Sequence, residues 1–171
     1  MRTILLLGLL NGAATFAQTP ATKPPADPLQ KIAFLLGRWD AEGGGQIGTG
    51  MGAFSFEAEL DRHIVVRRNY AQYDNGAAAG TRHDDLLIVY LERPGEGPHA
   101  IYFDSEGHVI HYGVTVPKPD SVVFESDQSQ PGPRYRLSYA LEHSKLKGTF
   151  EIADSAAAPY KTYLSWKSSK K

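Results

Sequence analysis

The chain contains no cysteine. Disulfides, thiolate metal sites, cysteine nucleophiles and lipidation of a cysteine behind a leader are therefore excluded. No Asn-x-Ser/Thr sequon occurs, and the formal net charge is only −1. There is no basic patch interleaved with aromatics of the kind that marks a nucleic-acid binder. The run Gly43-Gly44-Gly45, continued by Gly48, Gly50 and Gly52, lacks the following helix that a dinucleotide or phosphate loop requires. It reads instead as a flexible first hairpin that gates whatever lies behind it. No serine sits in a nucleophile elbow, and no pair of carboxylates falls at matched strand positions. Apolar runs are short: the longest, Ile4–Leu10 with one glycine inside, is well under the roughly 20 residues a spanning helix needs.

That first apolar run has its own meaning. Arg2 precedes it, and Thr15-Phe16-Ala17 follows with small residues at the −3 and −1 positions of a cut, the pattern of a secretory leader. Residues 1–17 are thus expected to be a signal peptide cleaved after Ala17, with the product in a periplasm or the medium. Residues 18–28 form a Pro-rich leader. Asp27 and Pro28 suit a helix start. Leu29, Ile32, Ala33 and Leu36 recur at i, i+3, i+4 and i+7, one face of a short helix that Gly37 ends.

The remainder alternates. In Ala100–Val116, Asp104-Ser105-Glu106-Gly107 is a turn in which the Asp carboxylate accepts a backbone N–H and Gly tolerates positive φ. Beyond it, Ile110, Tyr112, Val114 and Val116 share one face, while Val109, His111, Gly113 and Thr115 share the other. The same plan gives about ten strands between Arg38 and Lys167. Their separators are turn-formers such as Asn75-Gly76, Pro94-Gly95-Glu96-Gly97-Pro98, Pro117-Lys118-Pro119-Asp120 and Gln130-Pro131-Gly132-Pro133. Ten short strands in series are best buried by closing the sheet, which removes exposed edges. The expectation is all-β: an up-and-down antiparallel barrel over 29–167 with a short N-terminal helix, and 168–171 as a basic, solvated tail. Its inner wall combines Phe54, Phe56, Ala58 and Leu60; Tyr135, Leu137, Tyr139 and Leu141; Leu146, Gly148, Phe150 and Ile152; and Tyr160, Thr162, Leu164 and Trp166.

At Leu35-Leu36-Gly37-Arg38-Trp39, after the helix and opening the first strand, the chain resembles the calycin-type barrels. Lipocalins carry a Gly-x-Trp there, and similar openings occur in nitrobindin-like and other lipocalin-like exported bacterial domains. The strand count is closer to the fatty-acid-binding and nitrobindin-like barrels. The resemblance implies a pocket for a small apolar or amphipathic molecule, with Trp39 packed across one end. It also implies a haem-binding alternative, although no histidine here matches that family's iron ligand. A barrel simply filled by its own tyrosines, serving a structural or interaction role, is a third reading.

Several side chains are candidates for the pocket. Arg67 and Arg68 are adjacent, so one of them points inward. If Ile64, Val66, Arg68 and Tyr70 line the cavity, Arg68 with Tyr70 holds an anionic group, since a buried guanidinium needs a partner; otherwise that Arg pairs with Glu57 or Glu59 outside. His108 sits at the turn end of the Ile110–Tyr112 face, at the mouth. His108 and His111 have a metal-like spacing, but residues three apart on a strand point to opposite faces. Arg82-His83-Asp84-Asp85 is a dense polar cluster in which an Asp orients a His and raises its pKa. The ligand-binding set is Arg68, Tyr70, Tyr90, Tyr102, His108, Tyr112 and Tyr135. No catalytic residue, metal or cofactor is assigned, and the oligomeric state is left open.

Overall fold

The structure, a computed structural model, describes residues 28–93, 95–128 and 132–171. The expected leader, its cut and Asp27 lie outside these residues, as do Pro94 and part of the turn around Pro131.

Ten strands follow one another: β1 (Gly37–Gly45), β2 (Gly48–Glu59), β3 (Ile64–Tyr73), β4 (Arg82–Tyr90), β5 (His99–Asp104), β6 (Val109–Thr115), β7 (Ser121–Ser126), β8 (Arg134–Glu142), β9 (Lys145–Ala153) and β10 (Lys161–Lys170). Each pairs antiparallel with the next, and β1 pairs with β10, so the sheet is a closed barrel. No helix among the described residues is long and apolar enough to cross a membrane.

Alternation decides the wall. Phe54 and Phe56, Leu87 and Val89, Tyr112 and Val114, Val122 and Phe124, and Leu137 and Tyr139 are buried two apart on their strands, the period that places residues on one side of a sheet. Three expectations change here. A bulge in β10 between Thr162 and Leu164 shifts the register against β9. A bulge moves every residue before it to the other face. Tyr160 therefore lies against the outer guanidiniums of Arg134 and Arg136, and Thr162 is exposed. The basic end is not a free tail either: β10 continues to Lys170 opposite Trp39, and Ser168 is buried. The glycine run is no loose hairpin. Gly43 lies in β1 so close to β10 that a Cβ there meets the Ser165 carbonyl and Trp166. Small residues let the backbones of β1 and β10 close the barrel.

Leu29, Ile32 and Leu35 are the fully buried residues of a 3-10 helix, Pro28–Leu35. They recur every three residues, which is the 3-10 period, whereas the expected α-helical face used Ala33 and Leu36, both only half-buried. Their side chains join the core formed by Trp39, Val65, Val89, Ala100, Val122 and Leu146. The Trp39 Nε1–H donates to the Leu35 carbonyl at 2.8 Å. The Arg62 side chain, in the β2–β3 turn, reaches Gln30 at 3.3 Å. Burying residues such as Ile32 and Leu35 contributes about 2 kcal/mol each. The helix thus holds one end of the barrel shut.

Candidate functional site

The opposite end is built differently. There, inward-facing Tyr102, Ile110, Tyr135 and Phe150 are packed against the core yet remain partly exposed. Tyr135 stacks on Phe150 with ring centroids 6.0 Å apart, and Tyr163 meets the edge of Phe150 at 6.2 Å. These rings form an aromatic wall on β8, β9 and β10. Facing them, β3, β4 and β5 supply a polar wall.

Its deepest part is Arg67 and Asp85, whose side chains are 5 % and 4 % exposed and form an ion pair. The neighbouring pairs Val65–Val89, Arg67–Leu87 and Asn69–Asp85 set which residues face in. Asn69 Nδ2 donates to Asp85 Oδ2 at 2.7 Å. The Arg67 guanidinium lies over the rings of Phe54 and Tyr139, 5.5 and 5.9 Å from their centroids. Burial opposes its charge, but Asp85 more than restores it and its pKa lies above the ordinary value. Burial raises the pKa of the Tyr112 and Tyr139 hydroxyls, Arg67 notwithstanding. The Arg67 Nε and the Tyr139 hydroxyl have no hydrogen-bond partner among the described residues.

Nearer the mouth, His83 is held on both sides. Its Nδ1 is 2.8 Å from Glu106, and its Nε2 is 3.1 Å from the Tyr102 hydroxyl and 3.3 Å from Asp85. With acceptors at both nitrogens the ring is stabilised as the imidazolium. Asp85 first, then Glu106, raise its pKa against the opposing effect of burial. The Tyr102 hydroxyl donates to Asp104 at 3.3 Å, and its own pKa is pushed far up by burial and Asp85. Asp104 accepts the His108 N–H at 2.8 Å and faces His108 Nδ1 at 2.8 Å. Although burial works against it, these contacts hold the Asp104 carboxyl below the usual range. The Asp104–Gly107 turn has the chemistry expected of it: Asp104 also accepts the Glu106 N–H, and Gly107 has φ of 90°.

The candidate residues divide. Tyr102, Tyr112 and Tyr135 face in, and His108 stands exposed on the rim beside Asp104. Arg68 does not line the cavity: the inward set on β3 is Val65, Arg67 and Asn69, and Arg68 pairs outside with Glu59 at 2.8 Å. Tyr70 is likewise outside, 39 % exposed and covered by the Arg82 guanidinium at 4.3 Å. Tyr90 faces out against His99. Arg67 and Asn69 were not selected from the sequence, and His83 and Asp85 were singled out there as a polar cluster but not placed in the ligand-binding set. The signal was there in Val65-Val66-Arg67-Arg68-Asn69, where choosing the other alternate set brings Arg67 to the Asp85 side.

His83, Asp104 and Glu106 place a ligand atom each within 4.8 Å of one another. However, both His83 nitrogens already face carboxylates or the Tyr102 hydroxyl, as a doubly protonated ring requires. For the same reason the His83 ring offers no free nitrogen to a haem iron. Two outer grooves, of about 240 and 260 Å³, lie by Arg38, Asp40 and Arg68 and by Lys118, Val123 and Lys147. They are separate from the mouth.

These features define the class: a closed ten-stranded antiparallel β-barrel with one apolar end and one polar, aromatic mouth. Neither a scan of protein-family models nor a search of curated proteins finds a match to this chain.

Proposed function

We propose that this barrel is a calycin-like binding protein, exported after cleavage behind Ala17, that takes a small amphipathic molecule at its open mouth. One observation carries the reading. At the end away from the 3-10 helix, partly exposed inward-facing side chains set flat aromatic rings on one side and hydrogen-bonding groups on the other. Such a mixture of apolar lining and few convergent polar groups is what small-molecule sites use. Tyr135, Phe150 and Tyr163 receive the apolar face of the ligand. His83, Tyr102 and Asp104, with His108 on the rim, receive its polar edge. The site is a mouth site, since the helix end is filled by Trp39, Phe54, Phe56 and Tyr139 in mutual ring contact.

The test is to purify the chain from the cell that makes it, denature it and identify by mass spectrometry whatever is released. A stoichiometric small molecule with an apolar body and a polar group is expected, from a chain whose mass begins at Gln18. A chain that releases nothing, and whose melting is unmoved by a panel of amphiphiles, contradicts the binding reading and leaves a barrel filled by its own side chains.

A further inference from the structure

Two donors below the mouth have nothing to donate to. Arg67 and Tyr139 are 4 % and 1 % exposed, and neither the Arg67 Nε–H nor the Tyr139 hydroxyl has a hydrogen-bond partner among the described residues. The two groups are neighbours, since the Arg67 guanidinium lies over the Tyr139 ring, 5.9 Å from its centroid. An Arg nitrogen only donates. Burial raises the pKa of the Tyr139 hydroxyl and keeps it protonated, so it too has a hydrogen to give. Leaving a buried donor unmatched is costly, and nearly all such groups in folded proteins have a partner. Both donors are also held in place. Arg67 is carried by β3 and paired with Asp85, and Tyr139 is carried by β8 and packed by Phe54 and Phe56 at 5.9 and 5.5 Å.

Charge decides what suits them. An anion would find no cation to spare: Asp85 holds Arg67, Asp85 and Glu106 hold His83, and Asp104 holds His108. An ammonium fares no better, because it only donates. The unmatched groups here are themselves donors, and Asp85 already accepts from Arg67 and from Asn69 at 2.7 Å. An uncharged oxygen with lone pairs satisfies both conditions.

We infer that the leading end of the ligand is an uncharged acceptor oxygen, a ketone, ester or amide carbonyl, held between the Arg67 Nε–H and the Tyr139 O–H. The inference rests on the binding mouth proposed above and specifies what that mouth selects, in addition to the polar edge received nearer the rim. A carbonyl oxygen has two lone pairs and so takes both donors. Tyr102 does not compete for it. That residue is linked to Arg67 through the register pairs Arg67–Leu87 and Leu87–Tyr102, but its hydroxyl is already engaged by His83 and Asp104. The apolar body behind the carbonyl lies along Ile110, Tyr135 and Phe150, the half-buried part of the mouth.

Isothermal titration calorimetry near neutral pH with 2-nonanone, nonanoate and nonylamine, straight-chain probes of equal length with different polar groups, tests this. The ketone is expected to bind the unaltered chain tightest. Tyr139→Phe removes one unpartnered oxygen and keeps the ring. It is expected to weaken 2-nonanone about tenfold, the worth of one hydrogen bond, and to leave nonanoate and nonylamine unchanged. That step separates a hydrogen bond from the general reluctance of charges to leave water. The infrared carbonyl band of bound 2-nonanone gives a second reading, expected at lower frequency in the unaltered chain than in Tyr139→Phe. Nonanoate or nonylamine bound tightest overturns the inference. So does a ketone whose affinity and carbonyl band are indifferent to Tyr139→Phe. Both results leave the binding mouth standing, whereas a chain that binds none of the three probes overturns the mouth and this inference together.

Discussion

The two ends of this barrel are made from the same strands and do opposite things. At the helix end, Leu29, Ile32 and Leu35 are driven into a core of Trp39, Val89, Val122 and Leu146, and an inward side chain left partly exposed there, such as Leu141, carries no polar group. At the mouth, the inward positions are occupied by Tyr102, Tyr135, Phe150 and His83, which stay in reach of solvent. The difference teaches where stability and where chemistry reside in the fold. A strand has one inner face throughout its length, but its two ends are free to serve different purposes.

The largest effect is expected at the apolar end. Trp39→Ala removes a fully buried ring, its stacking on Phe54 and its bond to Leu35, and is expected to destabilise by about 4 kcal/mol. Urea titration reads this directly. A loss under about 1 kcal/mol would mean that the helix end is looser than its burial indicates.

Nearly as large is the ion pair below the mouth. Asp85→Ala strands the Arg67 guanidinium in the interior, and breaking a buried pair in this way costs about 3–5 kcal/mol. Replacing both residues with leucine is expected to restore most of that stability while abolishing any ligand contact made there. By contrast, Arg68→Ala on the outer wall loses only an exposed pair, about 0.5 kcal/mol or less. Arg67 and Arg68 are neighbours in sequence, so these variants show how far the side of the sheet, and not the residue type, sets the energy.

This pair also marks how far the sequence could be read. The barrel, its strand order and the Asp104–Gly107 turn were legible because period-two alternation and turn residues are local signals. The inner face of β3 was not. Val65, Arg67 and Asn69 alternate with Val66, Arg68 and Tyr70, and each set contains one arginine, so composition offered no choice. Only pairing with Leu87 and Asp85 decides it, and that is a long-range fact. Tyr160 and Thr162 were misplaced for a related reason, since the bulge at Tyr163 leaves no strong mark in sequence. Tyr102, Tyr112 and Tyr135 came out correctly on faces where apolar neighbours fixed the side.

A pH effect is expected at the mouth and not at the helix end. The raised pKa of His83 means that the folded state holds its proton more tightly than the unfolded chain does. Its stabilising contribution is full below the ordinary imidazole value of about 6.5 and is lost as pH rises through the raised value. The stability of the unaltered chain should therefore fall more steeply as pH rises above about 6.5 than that of His83→Gln. Parallel curves would show that His83 is not held between Asp85 and Glu106.

The aromatic wall is expected to matter less for stability than the buried core or the ion pair. Tyr135→Ala removes a half-buried ring and is expected to cost about 1–2 kcal/mol, well below Trp39→Ala. If it costs as much, the mouth is core and the contrast between the ends disappears.

The most direct measurement of the central claim is an NMR titration with 8-anilinonaphthalene-1-sulfonate, an amphipathic probe with flat rings and a polar group. The account expects shifts concentrated at Tyr102, Ile110, Tyr135, Phe150 and Tyr163, with Ile32, Leu35, Val122 and Leu146 unmoved. Shifts centred on the helix end, shifts confined to the outer wall, or none at all would contradict a binding mouth.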